Sequence, residues 1–179
     1  MKPSWIIPQF DQYLKHRNLS FEGIVIGGAA LALLGVISRE TQDCDIIDPV
    51  IPHEILEAAK DFGQQLKIEE TSLKENWLNN GPTTLVPQLP KYWKARLVPL
   101  FQGEALILWS LGRMDLLSTK LLAFCDRGQD LGDCMAMKPS LEELQQIQSW
   151  LSLQDENPDW PTHVEFSLRE LAKRLGYEF

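Results

Sequence analysis

Long apolar runs are missing from this 179-residue chain. None approaches the roughly 20 residues that a helix needs to span a bilayer, so no membrane role is expected. Cysteine is scarce. Cys44, Cys125 and Cys134 are an odd number in apolar surroundings, which fits reduced thiols rather than a disulfide framework. No paired Cys and His spacing occurs, so a zinc site is not expected; His16, His53 and His163 stand apart. The opening segment, Met1-Lys2-Pro3-Ser4-Trp5, lacks the apolar core of a secretory signal. These absences together make the cytoplasm the expected location. Positive charge is also in deficit, with a formal net charge of -8. That argues against broad, non-specific nucleic-acid binding and leaves room for a local basic site. Internal repeats and low-complexity tracts are absent. Hydrophobic residues make up 44% of the chain, enough for one domain with a real core.

What is present is concentrated in one run. Ile24-Val25-Ile26 is a short β-branched segment, a buried strand by composition. Gly27-Gly28 removes two side chains where that strand stops, so backbone N–H groups can approach a ligand closely. Good helix formers follow, which places the glycines at a helix start suited to phosphate. A second apolar strand then carries Asp43 and Asp45. Strand side chains alternate, so both carboxylates are expected on one face, with Cys44 and Ile46 on the other. Two carboxylates projecting together repel unless neutralised, and Mg²⁺ shared with substrate phosphates does that. A solvated strand face would also explain two acidic residues one apart. It would not require the whole order of strand, Gly-Gly, helix and Asp-x-Asp.

Ile26-Gly27-Gly28 and Asp43-Cys44-Asp45-Ile46 resemble the motif of minimal nucleotidyltransferases of the DNA polymerase β superfamily. Within it the chain is most similar to AbiEii-type toxin nucleotidyltransferases and their uncharacterised relatives. Arg39, Thr41, Asp43 and Asp45 match their Arg-x-Ser/Thr-x-Asp-x-Asp segment. Lys120, Arg127, Asp130 and Asp133 match a later Lys-bearing helix followed by Arg and Asp. The similarity runs from about Gly23 to Asp133, and the stretch with Trp160-Pro161 and Leu171 to Tyr177 resembles the relatives' tail. Two features depart from the pattern. Ala29 replaces a Ser or Thr, removing one phosphate-binding hydroxyl. The third carboxylate is not obvious; Glu104 is the nearest candidate by order and Asp115 a poorer one.

The resemblance implies an α/β (α+β) fold: a small mixed sheet flanked by helices over 1–110, and a helical subdomain over 111–179, in one domain. It implies transfer of a nucleoside monophosphate from a nucleoside triphosphate to an acceptor hydroxyl of RNA, protein or a small molecule. The cofactor would be Mg²⁺ or Mn²⁺, held by Asp43, Asp45 and Glu104. Gly27, Gly28, Arg39, Thr41, Lys120, Arg127 and Asp130 would bind the nucleotide, and Asp43, Asp45 and Lys120 would be catalytic. A toxin role would add a protein antitoxin as partner. A degenerate nucleotide-binding protein and a plain interaction module stand as alternatives.

The rest of the chain reads in order. Ile6 to Arg17 has the period of an amphipathic helix, and Pro52 begins another that runs through Leu66. Ile68 to Ser72 reads as a short strand or loop, and Trp77 to Pro82 as a turn in which Asn79 and Asn80 could face a substrate. Lys91 to Arg96 interleaves cations with aromatics, which suits either base stacking or a solvated strand edge. Ala95 to Phe101 and Ala105 to Trp109 read as a hairpin turning at Gln102-Gly103. A helix begins at Asp115 as cap, with Lys120 among its apolar positions. There Lys120 either snorkels outward or reaches into a cleft, while Arg127 could pair with Asp130 or Asp133. Ser140 and Glu143 form a capping box. A last helix spans about Thr162 to Leu175 and stops at Gly176.

Overall fold

β-branched and aromatic residues set the centre of the fold. A computed structural model, which describes residues 1–68, 73–81 and 83–178, places Phe21–Ile26 in strand β1 and Cys44–Asp48 in strand β2. β1 thus begins three residues before Ile24. Gly23 makes this possible, because a Cβ there would stand 2.7 Å from the Phe21 ring. β1 pairs antiparallel with β2 and parallel with β5 (Leu106–Ser110). β2 pairs parallel with β3 (Leu78–Asn80), and β5 antiparallel with β4 (Val98–Gln102). The result is a five-stranded mixed sheet in the order β3-β2-β1-β5-β4, flanked by helices. The fold class is therefore mixed α/β. In β4, Pro99 lies opposite Trp109, and the pairing slips between Pro99 and Phe101.

The chain forms two compact units, Met1–Pro87 with Lys94–Leu111, and Gln88–Trp93 with Gly112–Phe179. The first unit contains the sheet with helices α1 (Pro3–His16), α2 (Gly27–Leu33) and α3 (His53–Ile68). α1 buries Ile6, Ile7, Phe10 and Leu14. Phe10 meets the Trp77 ring edge-on at 5.1 Å and the Phe62 ring of α3 at 5.3 Å, an arrangement favoured by the ring quadrupoles. Asp11, on the same helix, is buried because its carboxylate accepts from the backbone N–H groups of Ala105 and Leu106, each at 2.8 Å. Those bonds fix the turn into β5.

The second unit consists of α4 (Arg113–Arg127), α5 (Leu131–Met137), α6 (Leu141–Leu151) and α7 (Trp160–Leu175), with the segment before Lys94. Ser140 and Glu143 form the capping box at α6, and Gly176 ends α7 in the left-handed conformation that favours glycine. Arg113 clamps Glu143 with two hydrogen bonds of 2.7 and 3.0 Å. The Trp150 indole donates to the Gln88 carbonyl at 2.9 Å.

Three local expectations are corrected. Leu78–Asn80, expected within a turn, is an edge strand, because Leu78 buries its side chain while Asn79 pairs with Asp45. Trp93–Arg96 is a single 3-10 turn rather than a strand edge, since Trp93 turns inward and is buried. α4 begins two residues before Asp115, with Gly112 as its N-cap, and Asp115 is buried in the first turn. The strand or loop expected up to Ser72 lies outside the described residues beyond Ile68, which ends α3; Pro82 lies outside them too. Among the described residues, no helix is long and apolar enough to cross a membrane.

Candidate functional site

Strand pairing decides which side chains share a face. Residues paired across a ladder point to the same side, and successive residues alternate. Asp45 pairs with Ile26, and Asp48 with Ile24. Asp45, Asp48, Ile24, Ile26 and Glu22 therefore project from one face of the sheet. Val25 and Ile46, which pair with each other, project from the opposite, buried face. Asp48 returns to the Asp45 face because the pairing slips by one residue there. Asp43 is half-buried and stands just ahead of β2, where strand alternation no longer fixes its direction.

Gly27 and Gly28 lie against this segment. Gly27 has φ +72°, a conformation that side chains disfavour, and a Cβ there would stand 3.2 Å from Asp45 Oδ2. A Cβ on Gly28 would stand 3.2 Å from Thr41 Cγ2 and 3.7 and 3.8 Å from the two terminal nitrogens of Arg39. Gly27, Gly28, Arg39, Thr41 and Asp45 are thus one cluster. Within it Thr41 is buried, and among the described residues its Oγ1 has no hydrogen-bond partner. The glycines leave a cradle that two methyl groups would fill. Cys44 takes no part: burial raises its thiol pKa, and the charges of Asp45 and Asp43 raise it further. It stays a protonated core residue.

Asn79 stands directly opposite Asp45 in the β2–β3 ladder. Asn80 is committed elsewhere, its side-chain carbonyl accepting from the Ile51 N–H at 2.8 Å. Of the two asparagines, Asn79 is the one beside the carboxylate. Residue type alone gives both asparagines the same turn, surface or substrate-facing, and only the strand register separates them.

Glu104 is not a partner of these carboxylates, which corrects the expected third metal ligand. It precedes the β5 residue paired with Phe21, at one end of β1, whereas Asp45 pairs with Ile26 at the other. Five strand residues separate the two levels, roughly 16 Å. Glu104 is exposed and pairs with Lys15 of α1. Among the described residues, no group of three or more His, Cys, Asp or Glu side chains could hold a metal ion.

In the helical unit, Lys120 neither snorkels out nor stands alone. It is buried, with its ammonium 2.8 Å from Asp133 Oδ2 and 3.1 Å from Asp130 Oδ2. Asp133 is itself buried. The ion pair expected of Arg127 is therefore made by Lys120. Arg127 is exposed and lies 3.6 Å from Asp126. Cys134 beside this cluster has its thiol pushed up to about 12, by burial first and then by Asp130.

Residues 6–148 match the model of a family described as nucleotidyltransferase of unknown function (DUF6036). Among solved structures, the chain is similar to an antigenic nucleotidyltransferase-like protein from Paracoccidioides brasiliensis. The identity is 18%, 92% of each chain is covered, and the TM-score is 0.46. No curated protein matches the chain.

Proposed function

From the membership of this chain in the DUF6036 family of nucleotidyltransferases, to which it belongs over residues 6–148, we propose that it moves a nucleoside monophosphate from a nucleoside triphosphate to an acceptor hydroxyl. The observation that carries this reading is the apposition of Gly27 and Asp45, with the Thr41 methyl against Gly28 and the buried Thr41 hydroxyl without a partner among the described residues. A buried hydroxyl without a partner costs stability, and a phosphate oxygen would satisfy it. The backbone N–H groups of Gly27 and Gly28 would hold the β- and γ-phosphates, and the Arg39 guanidinium would offset their charge.

The acceptor oxygen forms a bond to the α-phosphorus as the bond to the α,β-bridging oxygen breaks. That oxygen keeps the electron pair and leaves in pyrophosphate. The acceptor's proton passes to the Asp45 carboxylate. Hard carboxylate oxygens suit Mg²⁺ or Mn²⁺, and Asp43 and Asp45 would be the residues that hold it. Such an ion would lower the acceptor's pKa and neutralise the leaving group. Lys120, already matched by two carboxylates, is assigned to joining α4 to α5. The AbiEii-type toxin role, with an antitoxin partner, remains the finer form of this reading.

A second reading, nucleotide binding without turnover, is favoured by the position of Glu104 at the far end of the sheet. Incubation with α-labelled triphosphates, Mg²⁺ and separated RNA, protein and metabolite fractions tests both. Label should enter one fraction with the wild type and none with Asp45→Asn. Triphosphate binding without label in any fraction would establish the second reading instead.

A further inference from the structure

The face that carries Asp45 also carries an open groove of about 440 Å³ within the first unit. Its floor is Gly23 and Ile24, and its walls include Glu22, Asp48, Lys94 and Trp109. Trp109 pairs with Ile24, which places its indole on this face. The indole is held there by a 2.7 Å hydrogen bond from its Nε1 to Glu22 Oε1. Across the groove, Asp48 accepts from Lys94 at 2.7 Å. Ile24 lies two residues from Ile26, the partner of Asp45, so the groove begins roughly 7 Å from the Asp45 level.

The chemistry of these walls selects a ligand. An indole fixed by a carboxylate is a rigid platform for the apolar face of a ring or for a cation. Each carboxylate retains a second oxygen able to accept from a hydroxyl or ammonium. Two carboxylates against one lysine repel a polyphosphate or a nucleic-acid backbone. A triphosphate therefore belongs at the Gly27–Thr41 cluster and not here.

We propose that this groove holds the acceptor, and that the acceptor is a small hydroxylated ring, neutral or cationic, of the sugar or amino-sugar class. This rests on the nucleotidyltransferase reading for the reaction itself. The ring stacks on Trp109, and Glu22 and Asp48 orient its polar groups. One hydroxyl reaches toward Asp45, where its oxygen bonds to the α-phosphorus, pyrophosphate leaves with the electron pair, and the proton passes to Asp45.

The full chain is tested by saturation-transfer NMR with glucosamine, glucose and an octameric oligouridylate, with triphosphate affinity followed separately by calorimetry. Glucosamine ring protons should receive saturation from the wild type and lose it in Trp109→Ala. Glu22→Gln keeps an oxygen for the indole N–H and removes only charge. It should lower the preference for glucosamine over glucose by roughly 1.5-fold to 5-fold, the scale of an exposed charge pair. Triphosphate affinity should stay unchanged in both variants, which also shows that they fold. Triphosphate binding without sugar binding by the wild type overturns the groove assignment alone. Sugar binding without triphosphate binding overturns the acceptor role together with the reaction. Undiminished saturation in Trp109→Ala, or displacement of glucosamine by the oligouridylate, also overturns the proposal.

Discussion

Asp45 Oδ2 stands 3.2 Å from the point that a Cβ on Gly27 would occupy. Any side chain at Gly27 would meet that carboxylate and would also have to adopt φ +72°, which costs an L-residue roughly 1–2 kcal/mol. Gly27→Ala should therefore lower the unfolding midpoint modestly. It should weaken triphosphate binding by about tenfold, equivalent to 1.4 kcal/mol, because the new methyl fills the cradle. Calorimetric titration with and without Mg²⁺ checks this. Unchanged affinity in a folded variant would remove Gly27 from the phosphate site.

Thr41 offers an opposite sign for stability and binding. Among the described residues its buried Oγ1 has no partner, and valine has the same shape without the hydroxyl. Removing an orphaned polar group of this kind should stabilise the free protein, by up to about 1 kcal/mol. Triphosphate affinity should fall as the hydroxyl is lost, by about threefold to tenfold for one hydrogen bond. Thermal unfolding with and without nucleotide separates the two effects. A Thr41→Val protein that is less stable yet binds normally would make the hydroxyl structural.

Lys120 is predicted to matter for folding more than for phosphate. Lys120→Met removes the ammonium that faces the buried Asp133 and leaves Asp130 without this cation. Breaking one side of such a pair costs about 3–5 kcal/mol. Adding Asp133→Asn should recover part of that loss, seen as non-additivity in urea unfolding. Triphosphate and nucleoside affinities should change alike in the folded fraction. A selective loss of triphosphate binding without a loss of stability would restore Lys120 to the nucleotide site.

The thiols set an alkaline limit. Burial pushes Cys125 up to about 11, with a smaller opposing hydrogen bond from Ser167, and pushes Cys134 up to about 12. Their ordinary value is 9.0. Above that pH the unfolded chain loses thiol protons that the folded chain retains, so the folded state binds more protons and stability falls with rising pH. The decline should begin near pH 9 and continue to about 11 and 12. At the acid end, Arg113 holds the Glu143 carboxyl below its usual 4.5. That contribution is present above 4.5 and is lost as pH falls through the depressed value. Unfolding midpoints across pH, compared with Cys134→Ala, check the alkaline limb. A flat profile from pH 8 to 11 would contradict it.

Short-range chemistry made part of this molecule readable in advance. Ile24 to Ile26 and Gly27 announce themselves by residue type, since β-branching and a missing Cβ act locally. Asp45 beside Gly27 follows from one strand and one turn. Glu104 could not be placed that way. Its distance from Asp45 depends on β5 running parallel to β1, a pairing between segments some eighty residues apart in the chain. β3 was hidden because Asn79-Asn80-Gly81 has turn chemistry. Only the neighbouring strand supplies the partners that extend it. Lys120 was ambiguous because an apolar helix face does not reveal whether carboxylates from the next helix arrive to cover it. Glu22, Asp48 and Trp109 converge through sheet pairing alone, and nothing in their separate surroundings links them.

Pro99 has a consequence for how molecules of this protein meet. β4 is the outermost strand on its side of the sheet, and such a border invites a further strand from another molecule. Proline offers no N–H there, and the slip between Pro99 and Phe101 breaks the regular spacing of donors and acceptors. A neighbouring chain arriving at this border would find an interrupted template. An interrupted edge of this kind is one of the means by which sheets resist pairing with a further strand.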